Sequence, residues 1–284
     1  MSRSVASSKG LLPKDTAMPD EAISVKSLYI HPIKSARGVA VSRLAFDGRG
    51  PMGDRRFMVI GADGAFRTQR DLPRLTQLVP ELDACGDLLL TAPGMPTLTV
   101  VKPLGAPTVA TQVWADNVQL RDCGAAAANW LSKLLNESCR LVFQGEDSPR
   151  SIHRLPEREV SLADGYPLLL ISDAAVTDLA TRLGSVVSDT RFRPNIVLAG
   201  CAPHAEDHWK RIRIGANTFA VVKPCERCSI PSLDPATGVV TPGFNRLLAS
   251  YRTRNGQVHF GQNLVHEGET EIAVGDVVEV LGRL

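Results

Sequence analysis

The spacing of apolar and polar residues predicts a chain built mainly of short β-strands. Residues 23–30 (ISVKSLYI) alternate apolar and polar side chains, as a half-buried strand does. Further strands are predicted at 42–47, 57–60, 88–91, 98–101, 111–120 and 139–143. After 57–60, the sequence Ala62-Asp63-Gly64 is a turn signal that predicts a hairpin with a return strand. Short strands of this kind are typical of a small β-barrel or sandwich.

Two helices are predicted among the strands. Residues 124–135 (GAAAANWLSKLL) have the period of an amphipathic helix, which would cover the barrel. Its apolar residues share one face: Ala127, Trp130, Leu131 and Leu134. The pair Ser172-Asp173 predicts a cap for a second helix over residues 174–183. In the same half of the chain, strands are predicted at 167–172 and 196–199. Residues 209–222 are predicted to form two strands across a turn at Gly215, and residues 258–267 and 271–281 a strand, a turn and a strand.

The 284-residue length is enough for about two domains, each with its own core. Residues 1–22 are rich in Ser, Lys, Asp and Pro without apolar periodicity, which predicts a poorly ordered tail. Residues 145–159 are polar and contain two prolines, which predicts a surface loop or domain junction. We therefore expect domains at 23–147 and 148–284, in a mainly β fold with a few helices, the α+β class.

Composition and charge exclude several functional classes. The net charge is +2 and no long run of basic residues occurs, so binding to a nucleic-acid polymer is not indicated. No apolar run approaches the roughly 18 residues of a spanning helix, and the first 22 residues lack a secretory signal. These features predict a cytoplasmic protein that does not act at a membrane. The six cysteines are too sparse for a disulfide framework, so they should be free thiols, metal ligands or redox residues.

The segment 223–238 (KPCERCSIPSLDPATG) contains two of the cysteines, Cys225 and Cys228, in a Cys-x-x-Cys arrangement. Flanking prolines disfavour a regular helix here, which argues against a thioredoxin-type disulfide. A four-ligand zinc site is disfavoured because the other cysteines are isolated. Two interpretations remain open. One is a thiolate that binds a soft metal and is kept ionised by Lys223 and Arg227, and the other is two small buried cysteines in a loop.

A second set of candidate residues is basic or polar and lies at strand ends and turns: Lys34 with Ser35, Arg55, and Arg193 with Asn195. At such positions, a phosphate can be bound jointly by arginine guanidinium groups, the lysine ammonium and backbone amides. Taken singly, each cation fits a solvated surface charge. Taken together, they indicate phosphate recognition.

A third set is acidic or carries amides. Asp164 and Asp234 each begin a turn sequence and fit simple turn formers. Gln262 and Asn263 follow a strand and could hydrogen-bond a heterocycle, while His259 fits either a structural histidine or a proton donor. The sequence contains no phosphate loop, dinucleotide fingerprint, serine nucleophile elbow or plant-type iron–sulfur spacing. Electrons for any redox chemistry would therefore come from elsewhere.

Six segments occur in an order that resembles the MOSC proteins, a family named after the C-terminal domain of molybdenum cofactor sulfurase. The segments are HPIKSARG, GDRRFMVI, ADGYPLLLIS, RFRPNIVL, KPCERC with the following LDPATG, and FGQNL ending in VGDVVEVL. The resemblance covers nearly all of residues 23–284, including the N-terminal MOSC β-barrel domain. The sequence is similar to bacterial members that detoxify N-hydroxylated bases and, more distantly, to the mitochondrial amidoxime-reducing component.

This resemblance implies a molybdenum-cofactor enzyme that reduces N-hydroxylated bases, amidoximes and hydroxylamines to amines. In the family, the second cysteine of the Cys-x-Arg-Cys segment ligates molybdenum, and that position is Cys228 here. The lysine–serine pair and the arginine after Gly-Asp hold the terminal phosphate of the pterin. The cofactor-lining positions correspond to Lys34, Ser35, Arg55, Asp164, Gly165, Tyr166, Arg193 and Asn195.

The resemblance also implies cofactors and partners. The expected cofactor is molybdenum bound by molybdopterin, with no intrinsic iron–sulfur cluster, flavin or NAD. Two electrons per turnover would come from a separate donor protein, a ferredoxin or a flavin reductase, and the substrate would be a small N-hydroxylated molecule. Two alternatives remain: a cofactor carrier or sulfur-transfer module without turnover, and a non-catalytic β-barrel binding module whose cysteines are structural.

Overall fold

The computed structural model describes residues 22–284, so the predicted tail, apart from Ala22, lies outside the described residues. The first part of the chain contains strands β1 (Ser24–Ile30), β2 (Val39–Val41), β3 (Arg43–Leu44), β4 (Phe46–Asp47), β5 (Gly50–Pro51), β6 (Phe57–Gly61), β7 (Val79–Leu82), β8 (Leu88–Thr91), β9 (Leu98–Val100), β10 (Thr108–Val113), β11 (Asp116–Asp122) and β12 (Cys139–Phe143). Helix α1 (Gly124–Leu135) lies between β11 and β12.

The second part adds strands β13 (Ser151–Ile152), β14 (Leu155–Glu159), β15 (Leu168–Ser172), β16 (Ile196–Ala199), β17 (Trp209–Ile214), β18 (Asn217–Glu226), β19 (Thr253–Arg254), β20 (Gln257–His266), β21 (Ile272–Ala273) and β22 (Val278–Arg283). Its helices are α2 (Asp173–Leu183) and α3 (Phe244–Arg252). The prediction of a mainly β fold with a few helices is confirmed. No helix in the part of the chain that the structure describes is long and apolar enough to cross a membrane.

One large sheet organises the C-terminal part, with the strand order β2-β1-β16-β15-β20-β18-β17-β22 and β19 beside β20. Strands β15 and β16 are parallel, whereas β1 runs antiparallel to β16 and β20 runs antiparallel to both β15 and β18. Strands β1 and β2 come from the N-terminal part of the chain. The sheet therefore spans the expected boundary at 147/148, which remains a prediction about domain organisation.

The N-terminal core is built where α1 covers the four-stranded sheet β10-β11-β12-β6. The predicted apolar face of α1 is buried, and it packs in one cluster with Phe57 of β6 and Leu141 of β12. Trp130 also satisfies its indole N–H, which donates to the carbonyl of Pro96 at 2.6 Å. The three-stranded sheet β7-β8-β9 closes the other side of this core.

Several local predictions are wrong. The residues after Asp63-Gly64 form no return strand, because only a single bridge joins Ile60 to Phe66. The predicted strand 111–120 is a hairpin that turns at Trp114, and the predicted loop 145–159 contains the β13–β14 hairpin.

Two further differences concern helices. Ser172 occupies the N-cap position of α2, but its side chain makes no capping bond and instead accepts from the backbone N–H of His204. Helix α3 was not predicted, because only Phe244, Leu248 and Arg252 are buried along it. One buried position per turn over nine residues is too weak a periodic signal to identify a helix.

Gly261 in β20 has a φ of +78°, and a Cβ there would lie 2.6 Å from both the carbonyl oxygen of Leu170 and Cγ2 of Ile171. We expect Gly261→Ala to lower the free energy of unfolding by at least about 2 kcal/mol, since left-handed strain and overpacking add. Urea denaturation measures the change. Gly64→Ala is the matched control because its φ is +77° with no atom near the new Cβ, so only about 1 kcal/mol should be lost. Equal losses would contradict the steric argument.

Candidate functional site

All nine residues predicted for the site line one cleft with about 750 Å³ of open space. These are Lys34, Ser35, Arg55, Asp164, Gly165, Tyr166, Arg193, Asn195 and Cys228. They come from five separate segments of the chain, so their convergence is a property of the tertiary fold. The cleft also contains Cys225, Arg227, Phe192 and Asn263.

Strand directions explain why most of these segments meet. Because β1 is antiparallel to β16 and β15 is parallel to it, the end of β1 and the starts of β15 and β16 lie at one edge of the sheet. Lys34 follows β1, Asp164 precedes β15, and Arg193 precedes β16. The edge therefore gathers a lysine, a carboxylate and an arginine in one place.

The cysteine segment reaches the same cleft through irregularities in β18. Its pairing with β20 shifts register between Val221 and Lys223 and again between Pro224 and Glu226. Such bulges bend a strand, and a bulge is one of the few places in a sheet that tolerates proline. The bent strand carries Cys225 and Cys228 over the cleft.

Lys34 is buried in the floor of the cleft with 5% exposure. Its ammonium donates to the carbonyl of Leu162 at 2.9 Å and to the Asp164 carboxylate at 2.5 Å. Burial lowers the pKa of Lys34 despite the carboxylate beside it. Desolvation by itself would raise the pKa of Asp164, but the Lys34 charge and the indole N–H of Trp114, 3.0 Å away, hold that pKa well below its usual range. The Asp164 carboxylate thus offsets part of the cost of burying the Lys34 ammonium, and a phosphate could take the place of Asp164.

Arg55 is oriented by a buried network centred on Asp54, which is 1% exposed. One Asp54 oxygen accepts from Arg55 Nη1 at 2.5 Å, and the other accepts from Asn195 Nδ2 at 3.1 Å and from the backbone N–H of His31 at 2.8 Å. Asn195 also accepts from the backbone N–H of Leu169 and donates to the carbonyl of Tyr29. The Asn195 amide is therefore occupied by partners within the protein, and it helps to position Arg55.

Arg193 brings a positive charge to the cleft, and no carboxylate in the described part of the chain contacts it. Its Nη1 donates to the carbonyl of Ala36, while its buried Nη2 has no partner in the described residues. Burial and the neighbouring Arg55 charge lower the pKa of Arg193 to about 9, so it still carries its proton at neutral pH. An unpaired buried guanidinium nitrogen is costly, which indicates that the site is completed by an anion.

Three site residues share an unusual backbone conformation. Ser35, Arg55 and Arg193 have φ values of +64°, +51° and +56°. These values lie in the left-handed region, which residues other than glycine rarely adopt. Strain of this kind clusters at functional sites, where the surrounding structure holds it in place. The conformation aims three phosphate-binding candidates from three different loops.

Among the described residues, neither of the cations predicted to keep a thiolate ionised makes a hydrogen bond to Cys228. Lys223 pairs with Glu226 at 2.9 Å, and Arg227 Nη1 donates to Sγ of Cys225, at 3.0 Å. Cys228 is exposed, so the interpretation of two buried cysteines in a loop is wrong for this residue. The two thiols therefore have different surroundings.

The remaining candidates divide between site and scaffold. Gly165 and Tyr166 line the cleft on the loop before β15. Gln262 is buried and donates to Asp207 at 2.7 Å, outside the cleft, whereas Asn263 lines the cleft and donates to the carbonyl of Lys223. Asp234 accepts from the backbone N–H groups of Ala236 and Thr237, as a turn former does. His259 does not line the cleft.

Sequence reasoning missed two residues that shape the site, Asp54 and Trp114. Asp54 directly precedes Arg55, so the Gly-Asp-Arg sequence contained the signal for an internal carboxylate partner. Trp114 lies at a hairpin tip with φ of +57° and donates to Asp164 at the cleft. No sequence spacing links residue 114 to residue 164, and only the fold brings them together.

The lining of the cleft fits a polyanionic cofactor with a soft metal. Four cationic side chains face two carboxylates, and both carboxylates are already paired with lysines. The buried Nε of Arg227, like Nη2 of Arg193, has no partner in residues 22–284. An exposed thiol adds a ligand of the kind that soft metals prefer.

Comparison with known proteins agrees with the motifs in the sequence. Residues 22–138 match the MOSC N-terminal beta barrel domain, and residues 157–279 match the MOSC domain. A crystal structure of the YUAD protein from Bacillus subtilis superposes over 91% of this chain and 94% of its own, with 12% identity and a TM-score of 0.43. That similarity is too low to add to the assignment.

Two curated relatives extend over most of the chain. The human mitochondrial amidoxime-reducing component 1 is 34% identical and covers 92% of this chain and 83% of its own length. The molybdenum cofactor sulfurase of Oryza sativa subsp. japonica is 29% identical and covers 91% of this chain but 35% of its own length. The chain therefore belongs to the MOSC family, with an N-terminal MOSC β-barrel domain followed by a MOSC domain.

Proposed function

We propose that the protein is a molybdenum-cofactor-dependent reductase that converts N-hydroxylated compounds to amines. The observation that carries the proposal is the convergence of Cys228 with Lys34, Arg55 and Arg193 in one cleft. A thiol and several cations suit a metal held by a phosphorylated organic ligand, because each supplies one part of the recognition. The similarity to amidoxime-reducing components, at 34% identity, supports the reaction class.

In this proposal, the chain's residues hold the cofactor at two ends. Lys34, Ser35 and Arg55 would bind the terminal phosphate, and Arg193 would line the cofactor. The Cys228 thiolate would bind molybdenum directly. Asp164 pairs with Lys34 in the structure and would release it to the phosphate on binding.

The reaction consumes two electrons and two protons: R–NH–OH becomes R–NH₂ and water as the N–O bond breaks. Molybdenum held by molybdopterin supplies two-electron chemistry when bound. The exposure of Cys228 leaves solvent access for protons. No histidine lines the cleft among residues 22–284, so water is the proton source that we favour. A separate donor protein would supply the electrons.

Metal and pterin analysis tests the proposal. The protein should be produced in a host that makes the molybdenum cofactor and purified without a metal-affinity step. We expect about one molybdenum and one molybdopterin per chain. Persistent absence of both would overturn the proposal and leave a β-barrel binding module.

A turnover assay separates catalysis from cofactor transport. The loaded protein is incubated with an N-hydroxylated base and an artificial electron donor, and the amine is quantified. Stoichiometric cofactor without amine formation would indicate a carrier or sulfur-transfer module, a role suggested by the similarity to molybdenum cofactor sulfurase.

A further inference from the structure

A second cavity lies beside the cleft and has about 680 Å³ of open space. It shares Arg193 and Ile230 with the cleft, and the rest of its wall comes from other residues. Those residues include Arg37, Gln69, Arg191, Leu233 and Pro235. None of the site residues other than Arg193 lines this second cavity, so it is a separate place for a ligand.

The wall of the second cavity is cationic. It contains Arg37, Arg191 and Arg193, and it contains no carboxylate among the described residues. Arg37 is exposed and makes no salt bridge or side-chain hydrogen bond within residues 22–284. Arg37 and Arg193 therefore present two positive charges that no acidic side chain among residues 22–284 contacts.

The same wall holds donors without partners. The Arg191 side chain is 93% buried (7% exposed), and its Nη atoms donate to the carbonyls of Pro231 and Ser232 and to Asp234, at 3.2 to 3.3 Å. Its Nε has no partner in the described part of the chain, and neither does Nη2 of Arg193. Buried donors of this kind are almost always satisfied in folded proteins, so a ligand that brings acceptors would complete them.

The lining of the cavity also includes apolar and neutral groups. Leu233, Ile230 and Pro235 are apolar, and Gln69, which is 6% exposed, adds a neutral amide. A ligand that fits must combine an anionic group with a flat or apolar body. The planar guanidinium group of arginine can donate hydrogen bonds to two phosphate oxygens at once. The two positive charges of Arg37 and Arg193 would balance the two negative charges of a phosphate monoester.

We propose that this second cavity binds a small phosphate monoester with a planar or apolar body, of the nucleoside monophosphate class. Arg37 and Arg193 hold the phosphate, the Gln69 amide hydrogen-bonds the body, and Leu233 and Pro235 cover its apolar face. The site does not depend on molybdenum or on turnover. Its ligand lies against the 230–235 segment, which continues from Cys228, and shares Arg193 with the cleft.

Calorimetric titration with adenosine 5′-monophosphate tests this site, using the purified protein after its molybdenum content has been measured. We expect one binding event with a Kd below about 1 mM. Arg37→Glu should weaken binding by about tenfold or more, because it removes a charge-assisted contact and adds repulsion. Gln69→Leu, which keeps the side-chain volume, should weaken binding of the nucleotide more than binding of inorganic phosphate.

Arg283→Glu is the matched control, since it makes the same charge change on the exposed edge strand β22, outside the cavity. It should bind as the wild type does, and all variants should keep the wild-type molybdenum content and melting temperature. Failure of the wild type to bind would overturn the proposal. So would binding that Arg37→Glu and Gln69→Leu leave unchanged, because the phosphate would then occupy the cleft.

Discussion

Replacing Cys228 by serine is expected to abolish reduction of N-hydroxylated substrates and to remove molybdenum from the purified protein. The thiol is exposed in the cleft and belongs to no core cluster of the described residues, so its loss should leave the fold intact. A hydroxyl is a poor ligand for a soft metal. The loss of metal affinity and activity should therefore exceed the roughly 10–100-fold effect of changing an outer-sphere partner. Molybdenum content and amine formation are the measurements, with circular dichroism to check folding.

Two other cysteines serve as controls for the Cys228 variant. Cys85→Ser makes the same change at an exposed position outside the cleft and should have no effect. Cys225→Ser should retain molybdenum, because a serine oxygen can accept the bond that Arg227 now donates to sulfur. A Cys228→Ser protein that kept both metal and turnover would contradict the assignment of Cys228, and loss of metal in Cys225→Ser would move the ligand to that residue.

Replacing Asp54 by alanine is expected to lower the free energy of unfolding by about 3–5 kcal/mol, the cost of breaking a buried ion pair. Asp54 is 1% exposed and accepts from three groups, so its loss leaves the Arg55 guanidinium, the Asn195 amide and a backbone N–H without their acceptor. Arg55 would also lose its orientation toward the cleft. Chemical denaturation gives the stability, and the molybdenum content of the purified protein gives the effect on cofactor retention.

Glu279→Ala is the control for the Asp54 variant. Glu279 pairs with Arg213 at 2.5 Å on the protein surface, where their side chains are 58% and 47% exposed. Solvent screening makes such a pair worth at most about 1 kcal/mol. If both variants lost the same small amount of stability, the Asp54 network would not be the support of Arg55 that its hydrogen bonds indicate.

Many elements of the fold follow from local pattern. Helix α1 begins and ends where its apolar period predicts, and the buried strands β15 and β16 match their apolar runs. Apolar residues that become buried dominate or recur regularly in these segments, so the local sequence is sufficient to identify them. Helix α3 and the β13–β14 hairpin lack that repeat, because they bury few residues and are stabilised by contacts with distant parts of the chain.

The candidate site divides in the same way. Its residues could be selected from the sequence because the motifs surrounding them are recognisable, and the structure brings all nine to one cleft. Their individual roles could not be assigned from motifs. The Asn195 amide makes hydrogen bonds to Asp54, Tyr29 and Leu169. Arg227 contacts Cys225 instead of Cys228.

The sequence by itself determined the family, the mainly β composition and the set of candidate site residues, because local periodicity and short motifs lie within continuous segments. Tertiary structure alone decided which side chains remain free to bind a ligand. Strand order brings segments more than a hundred residues apart to one sheet edge, and partners such as Asp54 and Trp114 then occupy some polar groups and leave others unpaired. The unpaired nitrogens of Arg191 and Arg193, two residues that line the second cavity, result from that arrangement and from no local pattern.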